Sequence, residues 1–200
     1  MDELINSILL ERSEISKELS NIIKTCASLN LSKKSSEILY KYMIPAIYAN
    51  WERFLKNTIK FQIIYLNKQN FSSEELGIDI LTSIIDDKNL FEKNFNDFDK
   101  KKDFIDNVQN ILKNPIIEEE NPKISTLTFK KTNKILLKYH LKPINTEYKD
   151  ELNELVHMRT YIAHGDPLGK VFDMAMIRKF VFLIENLMDD IIISSLFKNQ

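Results

Sequence analysis

The chain has 200 residues, with 28 Lys and Arg against 29 Asp and Glu and a formal net charge of −1. That length suits one domain with a sizeable core, and 44% hydrophobic with 28% charged residues is a globular composition, not a disordered or fibrous one. The even charge argues against a protein that coats nucleic acid, which needs a strongly basic footprint, and three glycines argue against a glycine-rich nucleotide cradle.

Leu4, Ile8, Ile15, Leu19 and Ile22 recur at spacings of three, four and seven, which is one face of a helix running from about residue 2 to residue 29. A Ser-, Asn- and Lys-rich stretch then ends it. Residues 36–67 predict a longer second helix. Its apolar side chains (Ile38, Tyr42, Ile47, Trp51, Phe54, Ile59 and Ile63 among them) point all round, as in the central helix of a bundle. Pro45 should kink that helix or break it near Lys41, because it lacks the amide and crowds the preceding turn. Ser72 and Glu75 form a capping-box pattern that opens a short helix through Ile85.

Residues 86–113 read as one or two amphipathic helices, and the Asn-Pro pairs at 114–115 and 121–122 bracket an exposed loop. Residues 125–139 read as a short extended piece followed by a helix. That helix holds Lys130, Lys131, Lys134 and Lys138, the one concentrated basic patch and a possible RNA contact. Thr146 is the expected cap of a helix reaching Ala163, stopped by Gly165 and Pro167, and Asp173 opens the last helix. The fold class expected is therefore all-α. It is a helical bundle in a single domain, 1–200, with residues 71–145 inserted between the second long helix and the helix that ends at His164.

Cys26 is the single cysteine, too few for a disulfide and a poor start for a zinc site. The acidic runs Glu118 to Glu120 and Asp189-Asp190 have no partners at ligand spacing, and Asp166 reads as a turn residue, so no metal and no cofactor are expected. The acidic start of the chain is unlike a signal peptide, and no apolar run approaches the roughly 20 residues that span a bilayer. The expectation is a cytoplasmic protein with no membrane segment.

The chemistry is concentrated in residues 155–166. Arg159, one of four arginines in a lysine-rich chain, precedes His164, one of three histidines, by five residues at a helix end. Five residues turn a helix through about 500°, which leaves the two side chains roughly 140° apart. Two copies meeting across a two-fold axis would assemble a site from them more easily than one copy alone. Imidazole titrates near neutrality and can move a proton at a ribose 2′-hydroxyl or a leaving 5′-oxygen. Guanidinium stays charged and forks onto phosphate oxygens. Spacing alone leaves plainer readings open: a surface ion pair for Arg159 and a helix cap for His164. Glu52, beside Trp51 on the apolar second helix, needs a cation, with Arg159 or Arg53 as candidates. Tyr48 shares its face, and both Tyr48 and Trp51 read as core aromatics. His157 reads as an ordinary polar helix position and His140 as a surface residue.

The run Arg159-Thr160-Tyr161-Ile162-Ala163-His164-Gly165-Asp166 resembles the Arg-x4-6-His signature of the HEPN superfamily. The segment from Tyr48 through Ala49, Asn50, Trp51 and Glu52 to Phe54 is similar to a helix of a toxin- and defence-associated branch of it. The resemblance implies a bundle that homodimerises with the two motifs facing each other. It also implies a metal-independent endoribonuclease that leaves a 2′,3′-cyclic phosphate. Arg159 would bind the scissile phosphate and His164 would act as general acid or base, with Tyr48, Glu52 and Thr160 in support. Thr160 stands where the family often has Asn, Asp or His. A cognate antitoxin or a neighbouring defence protein is the further partner implied. The rival reading is a non-catalytic module that dimerises, or binds a partner protein or a nucleotide.

Overall fold

The computed structural model describes residues 2–87, 97–117, 126–165 and 171–196. The acidic run at 118–120, the Asn-Pro pair at 121–122, Asp166 and Pro167 lie outside them. Among the described residues there are seven α-helices, one 3₁₀ turn and no strand. The helices are α1 (Asp2–Ser28), α2 (Lys33–Gln69), α3 (Ser73–Asp87), α4 (Phe98–Lys113), α5 (Phe129–Lys138), α6 (Lys149–His164) and α7 (Met174–Leu196). The 3₁₀ turn, Thr146–Tyr148, leads into α6.

The chain divides into two compact units: residues 1–59 with 122–200, and residues 60–121. The boundary falls inside α2, and the segment 71–145 is shared between the units. In the larger unit α1 buries Leu4, Ile8, Ile15 and Leu19, the face its periodicity marks. α2 runs through Pro45 without the break expected near Lys41. A proline inside a helix costs about 3 kcal/mol. Ile44, Ile47, Tyr48, Trp51, Phe54 and Leu55 around it are all buried, each contributing about 1.5–3 kcal/mol when removed from water. Packing outweighs the break.

Side chains on three other elements fasten the larger unit. Arg12 of α1 forks onto Asp189 of α7, Nε to Oδ1 at 2.8 Å and Nη2 to Oδ2 at 3.0 Å. Arg53 of α2 reaches Glu11 at 3.0 Å and Glu18 at 2.7 Å on α1. Lys179 of α7 meets Glu154 of α6 at 2.8 Å. Asp173 caps α7 by accepting from the Met176 amide, as its position before the apolar run suggests. Thr146 is not the cap expected of it. Asn145 takes that role, its Oδ1 accepting from the Glu147 amide, and the 3₁₀ turn intervenes before α6 begins.

The smaller unit holds the end of α2 with α3 and α4. Ser72 and Glu75 cap each other, with Glu75 Oε2 taking the Ser72 amide at 2.8 Å and Ser72 Oγ the Glu75 amide at 3.3 Å. Gly77, at φ 73° and ψ 165°, interrupts α3 in a conformation open to glycine and closed to most residues. The Asn67 side chain clasps the backbone of Ile117 in both directions, at 2.8 and 3.0 Å.

The Arg12–Asp189 fork is partly exposed, with the side chains 33% and 45% accessible. Arg12→Ala should lower stability by about 0.5–1 kcal/mol in urea unfolding. At 1 M salt, where charges are screened beyond about 3 Å, the difference from wild type should shrink.

Candidate functional site

α6 repeats a buried stripe at Leu152, Leu155, Val156 and Ile162, with Met158 beside it. Arg159 stands in that stripe, four residues after Leu155 and three before Ile162, so its cation is directed toward the bundle and is half-buried. His157 and His164, seven apart, lie on the other side and are exposed, with Tyr161 between them half-buried. The His157 and Tyr161 rings sit 4.3 Å apart between centroids. Gly165 ends the helix in the left-handed conformation at φ 76°, its amide reaching the Ile162 carbonyl, as the sequence suggests. Within one chain the guanidinium therefore faces in and the imidazole faces out.

What Arg159 faces is Tyr48. The guanidinium carbon lies 5.3 Å from the centre of the Tyr48 ring, within cation–π range. Tyr48 is 1% exposed, and its hydroxyl accepts the Leu127 amide at 2.7 Å. Burial pushes the phenol well above its ordinary value; the Leu127 amide pulls it down, the nearby Glu52 carboxylate raises it, and the Arg159 charge lowers it. Glu52 and Arg159 thus act on the same phenol in opposite directions. Among the described residues they form no direct ion pair, and Arg53 is taken by α1. Trp51 is fully buried and stacked on Phe54, a core position as expected.

Thr160 is half-buried and its hydroxyl donates to the Val156 carbonyl at 2.9 Å, so its proton is committed to its own helix. The lysines stand on α5. Lys130 and Lys134 are exposed; Lys131 and Lys138 are half-buried, Lys138 with its ammonium 5.1 Å from the Tyr139 ring centre. Side chains hold the N-terminal end of α5. Thr128 caps it through the Lys131 amide, and Asn153 of α6 accepts the Phe129 amide at 3.0 Å. Sequence reading missed Asn153 and the Leu127 amide. An Asn beside a buried helix stripe was the available signal, since its side chain competes for backbone partners. His140 is half-buried at φ 59°, less exposed than a surface position.

Among the described residues no three His, Cys, Asp or Glu side chains are grouped as metal ligands, and no helix is long and apolar enough to cross a membrane. A family model described as MAE_28990-like HEPN matches residues 5–196. No curated protein and no solved structure matches the chain.

Tyr48 supplies a pH test of the packing. Its folded value is raised above the ordinary 10.0, so the neutral phenol stabilises the native state. That contribution is complete below pH 10.0 and is lost as pH rises above it. Above that point the stability of the wild type should fall more steeply than that of Tyr48→Phe, by about 1.4 kcal/mol per pH unit. Denaturant midpoints measured across the alkaline range check this.

Proposed function

The chain belongs to the MAE_28990-like HEPN family, and from that premise we propose that it is an endoribonuclease of toxin or anti-phage defence type. The enzyme works in the cytoplasm without a metal, as a homodimer whose two Arg159 and His164 pairs form one composite site. The observation that carries this reading is the state of Arg159. It is half-buried on an otherwise apolar helix stripe, yet among the described residues it donates no hydrogen bond and makes no ion pair. A guanidinium taken partly out of water at that cost retains its five donors for an anion from outside the chain.

The chemistry then runs in one displacement. The ribose 2′-oxygen attacks the adjacent phosphorus as an imidazole takes its proton. The bond from phosphorus to the 5′-oxygen breaks, and a second imidazole returns a proton to that oxygen. A 2′,3′-cyclic phosphate and a 5′-hydroxyl are left. Arg159 forks onto the non-bridging oxygens, where negative charge grows. Because His164 faces outward and Arg159 inward within one chain, a two-fold pairing is the economical way to bring both to one phosphate. Lys130, Lys131, Lys134 and Lys138 would guide the flanking RNA. A cognate antitoxin or neighbouring defence protein would keep the site silent.

One observation favours the rival reading of a non-catalytic interaction module. The net charge is −1, and Leu10 of α1 and Phe182 of α7 are each 65% exposed, which suits protein contact better than RNA contact. Cleavage assays decide between the two. His164→Ala should lower RNA cleavage by about 100-fold or more, with sedimentation showing the dimer intact. Arg159→Lys keeps the charge but loses the fork, and should cost about tenfold or more. Wild-type cleavage should be unchanged by EDTA and should give a cyclic phosphate end. Wild-type protein that leaves RNA intact while forming a stoichiometric protein complex would decide for the module.

A further inference from the structure

The geometry points to Tyr48 as the positioning residue for Arg159. Its ring holds the guanidinium by the flat face, and its hydroxyl pins the lysine-bearing helix α5 to the same anchor. The inference rests on the ribonuclease reading for its catalytic consequence and on packing alone for the placement.

An arginine can be held in place in two ways. A carboxylate partner takes its N–H groups edge-on, as Asp189 takes Arg12 through two bonds at 2.8 and 3.0 Å. An aromatic face attracts it through the ring quadrupole and spends none of its N–H groups. Arg159 is held the second way, 5.3 Å from the Tyr48 ring centre. The phenol therefore steadies the cation without spending those donors.

The hydroxyl has a second duty. It accepts the amide of Leu127, which is itself fully buried, one residue before the Thr128 cap of α5. Asn153, six residues before Arg159 on α6, takes the Phe129 amide. The start of α5 is thus tied to α2 and to α6 at alternate residues, by one side chain from each. Lys130, Lys134 and Lys138 follow at intervals of four along that helix, on one face. Arg159 and the lysine stripe share Tyr48 as a common fixed point, so a phosphate on the arginine and the next phosphates along the strand meet cations set at a constant separation.

Removing the hydroxyl and removing the ring have different effects, and that difference is the test. Four arginines give four Nε–H signals in a proton–nitrogen correlation spectrum. The signal of Arg159 should lie upfield of that of exposed Arg178, through the ring current of Tyr48. Tyr48→Phe should keep that displacement, speed hydrogen exchange at the Leu127 amide and raise KM for RNA severalfold. Tyr48→Leu should abolish the displacement and lower kcat about tenfold, the loss expected of a cation–π contact shielded from water. The conservative Phe variant should restore most of kcat. An Arg159 signal level with Arg178 in the wild type would overturn the placement whether or not the Leu variant folds. An upfield signal surviving in a folded Tyr48→Leu protein would overturn it too. Wild-type protein that cleaves no RNA while the spectrum behaves as stated would remove the ribonuclease reading and leave the placement standing.

Discussion

A polar group at the centre of a helical bundle is costly to bury unless it is hydrogen-bonded. Tyr48 is where α2 meets that constraint. It is 1% exposed, accepts the Leu127 amide at 2.7 Å and turns its ring toward the Arg159 cation. An unpaired phenol there would cost on the order of 1–3 kcal/mol. α5 docks through Leu127 and α6 presents its cation to the ring, so both elements of the proposed site touch one side chain. Its burial in turn depends on α2 continuing through Pro45, since a break there would release Ile44, Ile47 and Tyr48 together.

The fold was largely legible in the sequence because helical periodicity survives single exceptions. α1, α3, α6 and α7 begin and end close to the positions their apolar spacing and caps mark. The failures were places where tertiary packing overrode a local rule. Pro45 obeys its propensity in isolation, but the six buried neighbours around it belong to a sum over the whole core that no local pattern contains. Gly77 is the reverse case: its left-handed φ interrupts α3 in a sequence whose spacing reads as continuous. The cap at Asn145 instead of Thr146 is a shift of one residue, and turns on which side chain reaches Glu147.

The site was legible in its residue types and not in its pairings. Arg159 and His164 stand out by rarity and spacing alone, and Tyr48 and Glu52 by sharing a face. That Tyr48 would face Arg159 could not be read from periodicity, which fixes the face a residue occupies and says nothing of which long side chain arrives there first. Asn153 and the Leu127 amide were invisible for a related reason. One is an ordinary helix residue and the other a backbone group, and each matters only through the partner that the fold brings to it.

Three of the four arginines divide by what the chain asks of direction. Arg12 grips one carboxylate with two nitrogens, and Arg53 spans two carboxylates on a neighbouring helix. Arg159 sits over the Tyr48 ring. Lysine, which supplies charge without a preferred plane, fills most of the remaining basic positions. In a protein so sparing of arginine, its placement becomes a record of where orientation has been selected and where charge alone suffices. By that measure the charged surface is open to drift between the two residue types at its lysines. It is closed at Arg12, Arg53 and Arg159, where an equal charge of a different shape is a different part.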